Sequence, residues 1–442
     1  MTTLRLVSLL AGIAVGFAVG AYGVAYLVAS SWSSDSAGPA PLTVNDRSTV
    51  SSEVPSSRVQ IAFWSQRVAD RPKAYLDLTL LGQAFAQRAR ETSDISYYAR
   101  AEEALRRALR INAQYAPAAA SLSSVLFSKH EFRDALAVAR PIAGTAGGTQ
   151  ALATVGDARL ALGQVGRAEA AYRELLAWSA TPAAYSRLAF LADLRGRTDL
   201  ALGFMDRAAK LARDSGDSGE SLAWYAFQIG ELSFRAGRIE LAESHYRAAL
   251  ELYDDYPLAL VGLAKAKAAE GDRRASIGLY RKVVAIVPSP ETLAALGDVY
   301  TAAGMDRKAR QQYSAVELVA KLARINRQVY NRQLALYYAD HGLRLGEARR
   351  LALGELRVRK DVYGYDAAAW TLARSGRCRV ALVLAKRSLR LGTKDPLLYF
   401  HRGYAEGCAG DRGAMREWYG RALELNPEFS VRWAPVARAA LR

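Results

Sequence analysis

Single glycines recur along the chain at Gly163, Gly196, Gly237, Gly271, Gly304, Gly342, Gly376 and Gly410, separated by 33, 41, 34, 33, 38, 34 and 34 residues. Glycine tolerates the left-handed backbone with which many helices end. Each of these glycines closes one apolar-periodic stretch and opens another, as the turn of a helical hairpin does. A hairpin of this length cannot bury its apolar face alone, so a run of them must stack. Ala, Leu and Arg dominate, Pro is sparse at 13, and Val, Ile and Thr form no alternating runs. The 442 residues therefore read as one elongated helical array, and 51% apolar content supplies a continuous core.

Side-chain size repeats with the glycines. Seven residues before the turn stands a small residue: Gly156, Ala189, Gly230, Ala264, Gly297, Ala335, Ala369 and Gly403. Shortly after the turn comes another, from Ala168 and Ala201 to Ala348 and Ala381. Small residues at both places let paired helices approach to packing distance. A filler follows four residues later in most units: Tyr172, Met205, Tyr246, Tyr280, Tyr313 and Tyr419. Pro288 and Pro427 stop second helices.

This pattern resembles the tetratricopeptide repeat, most closely in LAALGDVYTAAGMDRKARQQYSAV at 293–316 and GYAEGCAGDRGAMREWYGRALELNP at 403–427. RARETSD at 88–94, VYNRQLALYYADHG at 329–342, DVYGYDAAAW at 361–370 and RLGTKDPLLYFHRG at 390–403 are similar to a group of bacterial tetratricopeptide-repeat proteins of uncharacterised function. The resemblance implies an all-α, right-handed α-solenoid of about ten hairpins over residues 58–427, with a capping helix at 428–442. The first two units depart from the pattern. One carries an insertion at Thr92–Tyr98; the other has His130 in place of the turn glycine and breaks at Pro141.

Residues Leu6–Ala29 are 24 uncharged, mostly apolar residues. A helix of that length, at about 1.5 Å per residue, crosses a bilayer core of roughly 30 Å. Arg5 precedes it and no Lys or Arg follows until Arg47, which predicts a cytoplasmic N-terminus at 1–5 and an array outside the membrane. Cleavage as a signal peptide, giving a secreted array, is the alternative. Gly12, Gly16 and Gly20 share one helix stripe and suit a membrane-helix homodimer, or reflect chance in a Gly/Ala-rich segment. The Ser- and Pro-rich residues 30–57 read as a disordered linker.

No catalytic signature is present: no phosphate-binding G-x-x-x-x-G-K-[ST], no H-E-x-x-H, no G-x-S-x-G. His130, His245, His341 and His401 lie in four different repeats, and two cysteines fall short of a structural zinc site. No enzyme activity, cofactor or metal is expected. His341 should bond a helix-terminal carbonyl, His401 should pack, and Asp254–Asp255 should cap a helix end.

Binding is the expected function. In this fold the first helices line a concave face, and the resemblance places Phe190, Asp193, Phe227, Glu231, Phe234, Arg332, Asp366, Trp370 and Tyr404 on it. They either anchor a protein or peptide segment or fill a tight superhelix. Arg332 and Asp366, at equivalent positions of adjacent repeats, are expected to face each other. The chain thus reads as a membrane-anchored, extracytoplasmic scaffold for protein–protein interactions in the cell envelope. The alternative is a binder of anionic envelope polymer or lipid headgroups, because the formal charge is +17. Nucleic acid is the least expected partner. The Arg excess also fits a GC-rich genome.

Cys378 and Cys408 flank the turn glycines Gly376 and Gly410 on one edge of the array. Stacked turns bring such positions within disulfide range, roughly 4.4–6.8 Å between Cα atoms. They are read either as a disulfide or as two unrelated small core residues.

Overall fold

The computed structural model describes residues 56–145, 148–217, 219–325 and 331–442, apart from a few side chains. Among them are 22 helices and no strand. Helix α1 (Ser57–Asp70) precedes ten hairpins. These are α2 (Tyr75–Thr92) with α3 (Ser96–Ile111), α4 (Ala116–Ser128) with α5 (Phe132–Ala139), α6 (Thr149–Ala161) with α7 (Val165–Trp178), and α8 (Pro182–Leu194) with α9 (Thr198–Asp214). Then come α10 (Glu220–Arg235) with α11 (Ile239–Leu252), α12 (Pro257–Ala269) with α13 (Arg273–Ile286), and α14 (Pro290–Ala302) with α15 (Asp306–Ile325). The last three are α16 (Asn331–His341) with α17 (Leu345–Val358), α18 (Val362–Arg374) with α19 (Cys378–Ser388), and α20 (Pro396–Cys408) with α21 (Arg412–Leu425). Helix α22 (Trp433–Leu441) packs on α21 and covers its end.

Local chemistry sets the helix ends. Three first helices open on a side-chain cap followed by Pro, whose missing N–H costs nothing at that position. The Thr181 side chain accepts from the Ala184 N–H ahead of Pro182, Ser289 and Thr292 form a capping box around Pro290, and Asp395 accepts from Leu397 and Leu398 beside Pro396. All eight turn glycines have φ between +67° and +100°. His130 takes the same conformation at φ +64° in the second hairpin. The two long glycine intervals come from α9 with the residues after it and from the 20-residue α15.

Inside each hairpin the small residue of the first helix receives the ring of the second. A Cβ on Gly156, Gly230, Gly297 or Gly403 would lie 2.3–2.7 Å from the ring of Tyr172, Tyr246, Tyr313 or Tyr419. Each pair is 16 residues apart, so the spacing read from the sequence is a packing contact.

The array curls until its two halves touch. The Lys360 N–H donates to the Ala161 carbonyl (2.8 Å), Thr393 Oγ1 to the Leu194 carbonyl (2.6 Å), and Asn426 Nδ2 to the Phe234 carbonyl (2.6 Å). Each acceptor lies at the end of the first helix of the third, fourth or fifth hairpin. Each donor lies in the link after the eighth, ninth or tenth. First helices of successive hairpins pack on one another.

One expectation is corrected here. Among the described residues no helix is long and apolar enough to cross a membrane, so a single-pass membrane protein with an external array is not supported. Residues 6–29, with Gly12, Gly16 and Gly20, lie outside the described residues.

Candidate functional site

The face expected to be a concave groove is a packed interior. Phe190, Asp193, Phe227, Glu231, Phe234, Arg332, Asp366 and Trp370 are all less than 9% exposed, and Tyr404 is half-buried. Their side chains are covered within the array, which leaves little of them for a peptide to contact.

The buried charges act as pins between repeats. Asp157, next to Gly156, accepts from the Tyr172 hydroxyl (2.9 Å) of its own hairpin and from Arg187 Nη2 (2.7 Å) of the next. Burial pushes the Asp157 carboxyl up to about 6, while Arg187 pulls it down. Glu231, next to Gly230, repeats this with Tyr246 (2.7 Å) and Lys265 (2.6 Å). Asp298, next to Gly297, takes Tyr313 (2.9 Å), His341 Nε2 (3.0 Å) and Arg432 Nη1 (3.0 Å). Asp193 pairs with Arg235 at 2.7 Å. A buried carboxylate held by a phenol and a cation is satisfied and costly to disturb. These groups fix repeat register.

The expected Arg332–Asp366 pair does not form. Arg332 reaches Glu355 and Asp361, each at 3.4 Å, and Asp366 accepts from His401 Nδ1 at 2.9 Å. Asp361 caps the next first helix through the Gly364 N–H (2.7 Å), so it stands closer to Arg332 than Asp366, one turn further on. His401 stacks on Trp370 with centroids 4.2 Å apart. Trp370 and Trp433 both donate Nε1–H to Asp340 Oδ1 (2.8 and 3.2 Å), and burial pushes the Asp340 carboxyl up. Arg374 lies 5.4–5.5 Å from the rings of Trp370, Tyr404 and Trp433. His341 Nδ1 lies 2.8 Å from the Tyr337 carbonyl. Asp254 and Asp255 do not cap: the N-cap of α12 is Tyr256, with no side-chain bond, and Asp255 pairs with Lys282.

Cys378 and Cys408 are brought together, with Cα atoms 5.2 Å apart, and are bonded as a disulfide.

Two outer features remain. A cleft of about 280 Å³ lies where the turn of the first hairpin meets the link before α12, lined by Arg88, Glu91, Asp94, Tyr97, Tyr253 and Asp254 among others. The second is cationic and was not visible in sequence, since its residues come from distant repeats. Lys360, Arg387 and Arg390, with Asp361, line a small recess together with Leu160, Val165 and Leu194 at the junction of the two halves. Arg159, one residue before Leu160, has its pKa lowered by burial and then by Arg140 and Arg167.

A family model described as "Tetratricopeptide repeat" matches residues 180–255, the fourth and fifth hairpins. No curated protein matches the chain. Among solved structures, a chain of the APC/C hetero-tetramer Cut9–Hcn1 aligns at 12% identity over 87% of this chain and 93% of that one, with a TM-score of 0.31. MamA aligns at 20% identity over 38% of this chain and 97% of its own, with a TM-score of 0.32. At these scores neither likeness bears on function.

Proposed function

We propose that the chain is a non-catalytic scaffold that binds other proteins. The observation that carries this reading is the stack of ten hairpins, two of which match the tetratricopeptide repeat, a module of protein–protein interaction. The first-helix residues named above are buried, so partners dock on the outer surface, where helix faces from up to ten repeats lie side by side. The buried carboxylates of Asp157, Asp193 and Glu231 are each held by a cation of the next repeat.

A second reading, a binder of anionic polymer through the basic surface, is favoured by the +17 charge and by the cations gathered at the junction. Salt separates the two: polymer binding falls steeply with ionic strength, while a packed protein interface persists in moderate salt.

The test is site-specific photo-crosslinking in the cells that make the protein, with the reactive side chain placed in turn at Arg167, Arg281 and Arg390. One discrete protein adduct, which then binds the purified chain in fixed stoichiometry, is the expected result. Absence of an adduct from all three positions would count against the scaffold.

A further inference from the structure

We propose that the cationic seam formed by Arg140, Arg159 and Arg167 on one half of the curled array and Lys360, Arg387 and Arg390 on the other docks an acidic polypeptide segment. This rests on the scaffold reading above and names the partner's chemistry.

The seam is made by closure. Gly163 sits in the turn between Arg159 and Arg167, and a Cβ there would lie 3.1 Å from Lys360 Cβ. The Lys360 N–H bonds the Ala161 carbonyl, two residues from Arg159. Arg387 and Arg390 border the same junction around Leu160 and Leu194. Arg159 Nη1 donates to the Arg167 carbonyl at 3.3 Å, and Arg140 and Arg167 both act on Arg159 as like charges. Five of the six are exposed and Arg159 is half-buried.

The neighbouring carboxylates are committed elsewhere. Asp361 is held by Arg359 (2.5 Å) and Arg332, and Glu169 by Arg173 (2.8 Å) and Arg195. Glu174 attracts Arg159 at a distance. Among the described residues none of the six cations makes an ion pair. Cations held together without counter-charges repel, and an anion laid across them relieves this.

Three features select a polypeptide. Five of the six are arginines, whose planar fork matches a carboxylate through two parallel hydrogen bonds. Tyr365 is the one aromatic residue lining the junction, and it is half-buried. Single-stranded nucleic acid needs exposed rings on which bases stack, and the seam lacks them. The cations also come from both halves of the array, so a linear acidic segment would bridge the junction and tighten the closure on which the seam depends.

The experiment uses the full chain and fluorescein-labelled dodecaglutamate, followed by anisotropy at low and moderate salt, with dodecaglutamine and a thymidine dodecanucleotide as comparators. The variants are R159Q/R387Q/R390Q and, on the exposed face of α13, R273Q/R274Q/R281Q, which removes the same charge. Binding of dodecaglutamate, with affinity about tenfold lower in the seam variant and nearly unchanged in the α13 variant, is the expected result. Equal losses in both variants would reduce the effect to net charge and overturn the proposal. So would tighter binding of the oligonucleotide through the same three arginines, or failure of dodecaglutamate to bind. The photo-crosslinked adduct separates the two readings. If it survives in the seam variant, the scaffold stands and the seam is not where the partner docks. If no adduct forms while dodecaglutamate still binds the seam, the charge specificity stands without the scaffold.

Discussion

The turns of the third, fourth and fifth hairpins and those of the sixth, seventh, ninth and tenth carry the same glycine in the same left-handed conformation. Their surroundings differ. A Cβ on Gly163, Gly196 or Gly237 would fall 2.9, 2.2 or 2.5 Å from a carbonyl oxygen of Lys360, Gly392 or Leu425. A Cβ on Gly271, Gly304, Gly376 or Gly410 would meet nothing within 4 Å. The first group is clasped by chain almost two hundred residues away, with bonded residues 199, 199 and 192 apart at the three contacts. The second group is open. One repeat pattern thus serves two jobs, ending a helix and admitting a neighbouring backbone, and the pattern does not say which turn has both.

The open turns of the ninth and tenth hairpins have a substitute for the clasp, since Cys378 and Cys408 tie them together. The bond closes a loop with a sequence separation of 30 residues, which the chain-entropy account values at about 3–4 kcal/mol. Removing it with C378S/C408S should therefore give the largest loss. The loss should be local, because the bond joins only the turns of the ninth and tenth hairpins. Hydrogen exchange across residues 362–425 should speed up well before that of the clasped hairpins. Equal protection with and without the bond would show that this end is held by packing alone.

Gly196 against Gly304 sharpens the comparison directly. Alanine at either position pays about 1–2 kcal/mol for the left-handed backbone. At Gly196 it also drives a methyl into the Gly392 carbonyl and strains the Thr393–Leu194 bond, worth about a further 1 kcal/mol or more. G196A should thus lower the urea midpoint about twice as far as G304A, and small-angle scattering should show the array loosened in G196A alone. Equal losses would mean that the clasp yields without cost.

The parts of this fold set within one repeat could be read from the chain. Gly156 and Tyr172, 16 residues apart, are neighbours because helix geometry makes them so, and the same spacing returns at Gly230–Tyr246 and Gly297–Tyr313. Parts set by curvature could not. Phe227 and Trp370 are buried, but whether a first-helix position faces water or another ring depends on a small rotation per repeat, summed over ten. Arg332 was placed opposite Asp366 on spacing alone, and the link between hairpins offered it Asp361 instead. The cationic seam was hidden for the same reason: Arg159 and Lys360 are ordinary surface residues until closure makes them neighbours. The described residues leave the N-terminal apolar segment aside and lend no support to a membrane-spanning helix.

His130 gives the finest test, because it occupies a turn without being glycine. Its φ is +64°, and its ring stacks near Phe132 with centroids 5.5 Å apart. Burial lowers its pKa from 6.5 to about 4; Arg359 and Arg332 lower it further, while Glu355 and Asp361 act the other way. The sign follows from proton counting. The unfolded chain takes up a proton near pH 6.5 that the folded chain refuses until about pH 4, so stability is lost as pH falls through that window and is fully present above it. His130→Gly removes the titrating ring and relieves the left-handed strain, but gives up the ring contact. These offset each other to within about 1 kcal/mol at neutral pH. The variant should therefore match the parent in urea midpoint at pH 7 and exceed it at pH 5. His245, whose pKa is also lowered by burial, will leave some acid sensitivity in both proteins. The difference between the two curves isolates position 130. Parallel curves from pH 7 to 5 would show that His130 is protonated in place, and that this turn is as open to water as the one at Gly304.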